Sequence, residues 1–381
     1  LDLLTGLGLG ACLADDMGLG KTVQVLALLL HRRAAAEAAK AAKNRRTGRK
    51  RRNGRTGPNG GPSLLVVPAS LLGNWRHEAA RFAPSLRLAF LHPSECDART
   101  LGEIAADPAT HLADADLAVT TYSMLARQPW LEEVRWQLVI LDEAQAIKNP
   151  ATRQSRAARA LPAVARIALT GTPIENRVGD LWSLFDFLNP GLLGSASRFT
   201  AFVRDLESRE DDRYGPLRRL TAPYILRRMK TDRAIIDDLP EKAVVRQACT
   251  LTPRQARDYR GIVDRLGRRL AEVDGIARRG AVLEAMMRLK QVCNHPSHLR
   301  GDDAYEPSAS GKFIRLREIC GELAERQERA LVFTQFREVI DPLAAFLAGV
   351  AVREGLVLHG GTSGARRRGL VERFRAEDGP S

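Results

Sequence analysis

Short apolar runs alternate with helix-length segments from residue 10 to residue 169, and this alternation restricts the possible folds more than any other feature of the sequence. The runs are almost continuously apolar, as in strands buried on both faces of a parallel sheet. Parallel strands need crossover connections, which are usually helices. We therefore predict an α/β lobe with helices after Lys21, Leu71, Pro150 and Gly179 and strands over residues 10–14, 64–67, 86–91, 117–121, 137–141 and 166–169.

The pattern changes after Ser195, where long charged helices replace the alternation as far as about Arg300. The alternation then resumes, which predicts a second α/β lobe that stops early. For this part we expect helices over 253–277, 279–292 and 339–347 and strands over 244–251, 330–334 and 356–359.

The composition excludes several classes of protein. With 381 residues the chain is long enough for two or three domains, and its 44% hydrophobic and 27% charged residues are typical of a globular protein. No apolar run reaches the roughly 18 residues that a membrane-spanning helix needs. The five cysteines form no CxxC pair, which argues against a zinc site or a disulfide framework and for a reducing compartment.

One segment carries most of the net charge of +14. Between His31 and Thr56 lie eleven Lys or Arg residues and one acid, Glu37, so this stretch alone supplies +10. We interpret residues 32–62 as a basic insertion whose tail, from Asn44 to Pro62, is a solvated loop. It either contacts DNA phosphates without sequence preference or is a tolerated surface insertion.

The segment after the first predicted strand has the residues of a phosphate-binding loop. Such a loop needs glycines, converging backbone N–H groups and a helix N-terminus behind it. The nucleotide-binding residues are expected to be Asp16, Met17, Gly18, Leu19, Gly20, Lys21 and Thr22. In the general GxxxxGK[ST] pattern, the lysine reaches the β- and γ-phosphates and the hydroxyl binds Mg²⁺. Asp15 stands where that pattern has its first glycine.

Two further strands end in residues suited to nucleotide hydrolysis. Asp142 and Glu143 follow the strand over 137–141, where the aspartate can hold Mg²⁺ and the glutamate can orient and deprotonate water. The run from Leu169 to Pro173 follows the next strand, and its hydroxyl groups can sense a phosphate.

The motifs resemble, in type and in order, those of superfamily 2 helicase-like ATPases. Their amino-acid sequences resemble those of the Swi/Snf-type branch. The resemblance rests on LADDMGLGKT, LLVVPASLLGNW, AVTTYSML, LVILDEAQAIKNP and IALTGTPIENRVGDLWSLFDFLNPGLLG in the first half. Later segments, ILRRMKTD, LKQVCNHP, SGKF and ALVFTQF, resemble segments of that branch in particular. The high Ala and Arg content is similar to that of a bacterial member.

The resemblance implies a role for each matching residue. Catalysis would involve Asp142, Glu143 and Gln145, with Thr22 and Asp142 holding Mg²⁺. Thr170, Gly171 and Thr172 would couple the nucleotide state to movement of the lobes. A nucleic-acid backbone would be tracked by Ser70, Asn74, Trp75, Thr121, Gln335, Gly361 and Thr362. Asn74 and Trp75 remain open to a second interpretation, as a cap and a core contact.

The resemblance also implies two RecA-like parallel-sheet lobes with helical insertions, the second lobe incomplete. The first ATP-binding lobe would span 1–194, a helical protrusion and linker 195–243, and the second lobe 244–381, with a helical insertion at about 252–305. A glutamine segment that reads adenine is expected before Leu1, and an arginine finger after Ser381. The chain is therefore interpreted as a fragment that is inactive alone.

The expected activity is ATP-dependent movement along double-stranded DNA that displaces or repositions bound proteins, with ATP and Mg²⁺ as cofactors. A DNA-bound protein or RNA polymerase is the expected protein partner, no membrane is involved, and the oligomeric state stays open. The expected location is the bacterial cytoplasm, at the nucleoid. The alternatives are a strand-separating helicase, a catalytically silent DNA-binding module and a metabolic P-loop kinase, of which the kinase cannot explain the later motifs.

Overall fold

The computed structural model describes residues 1–47, 61–171, 178–208, 212–232, 244–351 and 355–376. The chain divides into two compact units, Leu1–Glu241 and Lys242–Ser381. The predicted division into two lobes and a linker stays a prediction.

The first unit is built on a seven-stranded sheet in which every neighbouring pair of strands is parallel. The strands are β1 (Ala11–Leu13), β2 (Ser63–Val67), β3 (Leu88–Phe90), β4 (Leu117–Thr121), β5 (Trp136–Leu141), β6 (Ala163–Leu169) and β7 (Ile225–Leu226). Their order across the sheet is β3-β4-β2-β5-β6-β1-β7. The first six correspond to the predicted strands, and β7 was not predicted.

Both faces of this sheet are buried, which explains why its strands are continuously apolar. Alternate residues of β2 belong to two separate core clusters: Leu64 and Val66 to one, Leu65 and Val67 to the other. Successive side chains of a strand point to opposite faces, so each cluster lies on one face of the sheet. The α/β fold class predicted from the sequence is confirmed.

The described residues of the first unit form ten helices. They are α1 (Asp2–Gly6), α2 (Lys21–Thr47), α3 (Leu72–Phe82), α4 (Ala98–Ala106), α5 (Pro108–His111), α6 (Tyr122–Leu125), α7 (Arg153–Ala160), α8 (Val178–Leu188), α9 (Ala196–Glu207) and α10 (Gly215–Thr221). Short 3₁₀ turns cover Ala69–Leu71, Pro129–Glu132, Ala144–Ile147 and Ala222–Tyr224. The four helices predicted in this lobe correspond to α2, α3, α7 and α8.

The basic segment differs from its prediction. Helix α2 continues to Thr47, so Arg32 to Thr47 of the basic insertion are helical and the expected loop start at Asn44 is wrong. Ala, Arg and Lys are strong helix formers, and the Arg33–Glu37 ion pair at 3.0 Å adds an i,i+4 contact. The high helix propensity of these residues explains why the basic part of α2 is helical although it has no apolar stripe. Residues 48–60 of the predicted loop lie outside the described ranges.

The second unit is helical wherever the structure describes regular elements. Its helices are α11 (Pro253–Glu272), α12 (Gly275–Asn294), α13 (Pro296–Arg300), α14 (Gly311–Glu325), α15 (Ile340–Ala351) and α16 (Gly364–Arg375), with 3₁₀ turns at Pro307–Ala309 and Arg337–Val339. Gln255, fully buried, donates to the Val292 carbonyl oxygen at 2.8 Å and accepts from the Gly311 N–H at 3.1 Å. One side chain thereby connects α11, α12 and α14.

The strands predicted over 244–251, 330–334 and 356–359 are not formed in the described part of the second unit. Leu331 and Phe333 are 67% and 87% exposed, although the sequence pattern suits burial. A central parallel strand needs hydrogen-bonded neighbours on both sides, and these segments are not paired. The prediction of these strands is therefore wrong for this structure.

No helix in the described residues is long and apolar enough to cross a membrane. All five cysteines are free thiols, and Cys12 and Cys320 are buried. His295, two residues after Cys293 in LKQVCNHP, is fully buried and bonds through Nε2 to the Glu306 carbonyl oxygen at 2.8 Å. Its other ring nitrogen accepts from the Ser297 N–H at 3.0 Å, so both ring nitrogens have partners within the second unit.

Candidate functional site

The sheet order brings the three nucleotide motifs to one edge. Strands β5, β6 and β1 are neighbours, and all of them end at the same side because they are parallel. Asp142 follows β5, Thr170 follows β6, and the phosphate loop follows β1. The carboxyl edge of a parallel sheet is the usual place for ligands in such folds.

The phosphate loop has the backbone that its glycines allow. Gly18 and Gly20 have φ angles of +85° and +72°, in the left-handed region that side chains disfavour. The Lys21 Nζ donates to the carbonyl oxygens of Asp15 and Asp16 at 2.7 and 3.2 Å. The lysine therefore lies folded against its own loop, at the first turn of α2, beside the place where phosphates would bind.

Asp15 is completely buried beneath this loop and pairs with an arginine from the end of the first unit. Its carboxylate accepts hydrogen bonds from the Arg228 backbone N–H at 2.9 Å, from Arg228 Nε at 3.1 Å and from Gln24 Nε2 at 3.1 Å. Burial raises the pKa of Asp15, but the Arg228 and Gln24 hydrogen bonds outweigh burial and hold the pKa below its ordinary value. At the position where the general pattern has glycine, this chain therefore has an ionised aspartate that holds the loop through hydrogen bonds to Arg228 and Gln24.

The predicted Mg²⁺ ligand Asp142 is held by two aromatic residues. Trp75 Nε1 donates to its Oδ2 at 2.7 Å, and the Tyr122 hydroxyl donates to its backbone oxygen at 2.8 Å. Burial raises the pKa of Asp142, while the Trp75 hydrogen bond and the nearby Lys21 charge act in the opposite direction. The carboxylate is thus oriented by contacts that leave it close to the phosphate-loop lysine.

Glu143, the predicted base, has a left-handed backbone with φ of 50° and ψ of 54°. For a residue with a side chain this conformation costs on the order of 1 kcal/mol or more, and such strain concentrates at functional sites. Gln145 Nε2 donates to Glu143 Oε2 at 2.6 Å, and the Thr170 hydroxyl donates to Gln145 Oε1 at 3.3 Å. Hydrogen bonds therefore link the acid pair after β5 to the hydroxyl motif after β6.

The residues present fit a magnesium ion. The Asp142 carboxylate and the Thr22 hydroxyl supply hard oxygen donors, which Mg²⁺ prefers, usually with several waters retained. Asp142 keeps a small exposed fraction of 8%, so its oxygens are not sealed in the core. No cluster of three or more His, Cys, Asp or Glu side chains is found in the described ranges.

The structure describes two of the three proposed coupling residues, Thr170 and Gly171, and both lie near the phosphate loop. Thr170 is buried, and its N–H donates to the Leu13 carbonyl oxygen of β1 at 3.1 Å. A methyl group placed on Gly171 would lie 3.5 Å from Met17 Cγ, so Met17 of the phosphate loop packs beside this motif. Thr172 lies outside the described residues.

The residues predicted to track nucleic acid fall into two groups in the first unit. Ser70, in the 3₁₀ turn Ala69–Leu71, and Asn74, in the first turn of α3, are exposed after β2, on the same edge as the nucleotide motifs. Trp75 is 1% exposed and bonds Asp142, so its assignment as a DNA contact is corrected to the alternative interpretation, a core contact. Thr121 is also 1% exposed, and it caps α6 by accepting from the Met124 N–H at 3.3 Å.

Three nucleic-acid predictions concern the second unit. Gln335 and Gly361 are exposed. The Thr362 hydroxyl accepts from the His359 N–H at 3.1 Å and closes a turn around Gly361. Gln335 and Gly361 are therefore accessible, Thr362 is half-buried, and the role of all three as DNA contacts stays a prediction.

Sequence reasoning did not anticipate the contributions of Arg228, Tyr122 and the two-residue strand β7. Arg228 lies within ILRRMKTD and Tyr122 within AVTTYSML, but the partner of each is distant in the chain: Asp15 for Arg228 and Asp142 for Tyr122. The apolar pair Ile225–Leu226 beside two arginines was the only local signal for β7.

Comparisons with known proteins identify the family of this chain. The family model of the SNF2-related domain matches residues 2–298. YwqA of Bacillus subtilis, described as a helicase or translocase that depends on ATP, is 36% identical over 379 residues, covering 98% of this chain. The Zorya protein ZorD of Escherichia coli is 32% identical over 403 residues, covering 97% of this chain.

A solved structure is also similar. The SWI2/SNF2 ATPase core of Sulfolobus solfataricus in complex with double-stranded DNA is 38% identical, with a TM-score of 0.51, and the match covers 98% of this chain and 72% of that one. The chain spans about a third of the length of the curated relatives, 38% of YwqA and 35% of ZorD.

Proposed function

The chain belongs to the family of SNF2-related domains, and from this premise we propose that it is the ATPase core of a motor that moves along double-stranded DNA. In this proposal, ATP hydrolysis drives the displacement or repositioning of proteins bound to the DNA. Relatives described as helicases, translocases and chromatin-remodelling ATPases support the general activity. A similar core was solved with double-stranded DNA, which supports the duplex as the track.

One observation carries the nucleotide part of the proposal. The phosphate loop, the Asp142–Glu143 pair and Thr170 lie at one sheet edge, and hydrogen bonds run from Asp142 through Glu143 and Gln145 to Thr170. A loop with only a structural role would not need a lysine, an oriented carboxylate and a strained glutamate around the same point.

Each of these residues has a distinct task in hydrolysis. Lys21 leaves the carbonyl oxygens of Asp15 and Asp16 and binds the phosphates of ATP. Asp142 and Thr22 hold Mg²⁺, which neutralises charge on the phosphates when it is bound. Glu143 orients the attacking water and takes its proton, and Gln145 keeps the Glu143 carboxylate in place. Thr170 then reports the state of the γ-phosphate through Gln145.

DNA contacts are proposed mainly to the phosphate backbone, so sequence preference is low. Ser70 and Asn74 are the candidates in the first unit, because they are exposed at the edge that carries the nucleotide site. Gln335, Gly361 and Thr362 are the candidates in the second unit. A DNA-bound protein, with RNA polymerase as one example, is the proposed obstacle, and the bacterial nucleoid in the cytoplasm is the proposed place of action.

The test compares ATP hydrolysis by the whole protein with no nucleic acid, with single-stranded DNA and with duplex DNA, followed by a strand-displacement assay. We expect duplex DNA to stimulate hydrolysis most, and a third strand bound in the major groove to be displaced while the duplex stays paired. Glu143→Gln is the matched control, since it keeps the surface but removes the proposed base.

The other outcomes distinguish the alternatives. Unwinding of a forked duplex without displacement of a third strand would favour the strand-separating helicase. DNA binding without any hydrolysis would favour the catalytically silent module. Hydrolysis that no nucleic acid stimulates would contradict a DNA motor and leave only the nucleotide site.

A further inference from the structure

The segment from Ile225 to Lys230 lies along the phosphate loop, held by backbone contacts. β7 pairs in parallel with β1, and this pairing continues past both strands. The Ala14 N–H donates to the Leu226 carbonyl oxygen at 2.7 Å, and the Asp16 N–H donates to the Arg228 carbonyl oxygen at 3.0 Å. The Lys230 N–H then donates to Asp16 Oδ2 at 2.9 Å. The segment from Ile225 to Lys230 is therefore hydrogen-bonded along the first residues of the phosphate loop.

Arg228 fixes the register of this segment. Its side chain and backbone N–H both bond the Asp15 carboxylate, which is 0% exposed, while the arginine side chain is 37% exposed. A one-residue slip would leave Asp15 buried without its partner, which is costly. The position of Lys230, two residues later, is therefore set by the same pair.

Lys230 brings its amino group over a glycine of the loop. A methyl group placed on Gly18 would lie 3.1 Å from Lys230 Nζ. Within the described ranges, no carboxylate forms an ion pair with this amino group, in contrast to the neighbouring Arg228. Lys230 is itself exposed, so its charge is available to a ligand that enters the loop.

We propose that Lys230 is a second phosphate-binding cation of the nucleotide site and that the Asp15–Arg228 pair positions it. Lys21 belongs to the first turn of α2 and Lys230 to the segment after β7, so two ammonium groups from different elements reach the same loop. A triphosphate concentrates several negative charges, and a flexible ammonium group is suited to such a ligand. This inference rests on the proposed ATP site.

Binding of ADP and of a non-hydrolysable ATP analogue to the whole protein, measured by calorimetry with Mg²⁺ present, tests the inference. We expect Lys230→Gln to weaken binding of at least one of the two nucleotides by about tenfold or more, the effect of losing one hydrogen bond to a charged group. Lys230→Arg should retain most of the affinity. Arg227→Gln is the matched control, because Arg227 is exposed three residues away and should leave the affinity unchanged.

Arg228→Gln adds a test of positioning. It should weaken nucleotide binding in the background that contains Lys230, and it should have little further effect in the Lys230→Gln background, since both changes remove the same interaction with the nucleotide. Circular dichroism and the thermal midpoint would identify an Arg228 variant that does not fold. In that case the comparison of Lys230→Gln with Arg227→Gln decides whether Lys230 binds the nucleotide.

The results separate this inference from the proposed function. Unchanged affinity of Lys230→Gln for both nucleotides, with binding abolished in Lys21→Ala, would overturn the role of Lys230 and leave the ATP site intact. An equal loss in Arg227→Gln would also overturn it, because the effect would then be one of general charge. A wild-type protein that binds neither nucleotide would contradict the ATP site itself.

Discussion

Trp75 Nε1 donates a 2.7 Å hydrogen bond to Oδ2 of Asp142, and this bond connects α3 to the end of β5 across 67 residues of chain. Trp75 is 1% exposed, so the bond is sheltered from water. It joins a residue of the segment predicted to track DNA to the proposed Mg²⁺ ligand. A displacement of α3 would therefore change the orientation of Asp142.

Trp75→Phe tests this connection. Phenylalanine keeps most of the apolar contact but cannot donate the hydrogen bond, which leaves the buried Asp142 Oδ2 without its partner. We expect the free energy of unfolding to fall by about 1–3 kcal/mol. The Mg²⁺ concentration for half-maximal hydrolysis should rise, because Asp142 loses its orientation.

Trp130→Phe is the control, since Trp130 packs against the core cluster that includes Leu141 of β5, and its Nε1 has no hydrogen-bond partner among the described residues. A Trp75→Phe protein with an unchanged Mg²⁺ requirement would limit Trp75 to core packing.

Glu143→Gln should preserve ATP binding and lower turnover by at least about 100-fold, because the amide cannot take a proton from the attacking water. Turnover is measured by phosphate release and binding by calorimetry. Glu132→Gln, an exposed glutamate of the 3₁₀ turn Pro129–Glu132, is the matched control.

Lys21→Ala should behave in the opposite way to Glu143→Gln and lose nucleotide affinity. Turnover of wild-type size by Glu143→Gln would remove Glu143 from the role of base.

Asp15→Asn should reduce stability in a pH-dependent way. The Asp15 pKa is lowered from 3.8 in the folded state, chiefly by Arg228 and Gln24 acting against burial. A lowered carboxyl pKa contributes stability that is present above the unfolded value and is lost as the pH falls through the folded pKa. We therefore expect a difference of about 1–3 kcal/mol from wild type at pH 7 that shrinks below pH 3.8.

Chemical denaturation between pH 3 and pH 7 measures this difference. Asp114→Asn is the control, because the Asp114 side chain is 83% exposed and its pair with Arg87 is a surface contact worth little. A constant difference between Asp15→Asn and wild type over this pH range would mean that the ionised carboxylate does not carry the stability.

Neutralising the basic segment tests its contact with DNA. Changing Arg49, Lys50, Arg51 and Arg52 to glutamine should lower duplex affinity and flatten the slope of log affinity against log salt, by roughly 0.9 for each DNA phosphate that the protein no longer neutralises. ATP affinity should barely change. The control makes the same change to glutamine at four exposed arginines of α11: Arg257, Arg260, Arg265 and Arg268. An unchanged salt slope would favour a tolerated insertion.

Much of the first unit could be predicted because its signals are local. The apolar runs that became β2, β4, β5 and β6 bury both faces, and a glycine loop between a strand and a helix has few other uses. Parallel strands place their carboxyl ends at one edge, so the pattern also placed the phosphate loop, Asp142 and Thr170 at the same edge of the sheet.

Other features depended on contacts that no local pattern encodes. The pairing of β7 with β1, the Arg228–Asp15 pair and the Trp75–Asp142 bond each join segments distant in the chain. The sequence around Trp75 would be the same whether the side chain faced DNA or the core. The position of α3 over the sheet decides which of the two it faces. The run over 330–334 shows the converse, since a sequence suited to a buried strand stays exposed without paired neighbours.

The sequence by itself determined which segments must be buried and which chemistry each loop can offer, because side-chain polarity and glycine freedom are properties of single residues and their nearest neighbours. The tertiary structure alone decided which loops lie against each other, which carboxylate is braced by which donor, and which predicted strand finds a partner. These outcomes depend on strand order and on packing across the sheet, where the free energy of each contact is shared between residues far apart in the chain.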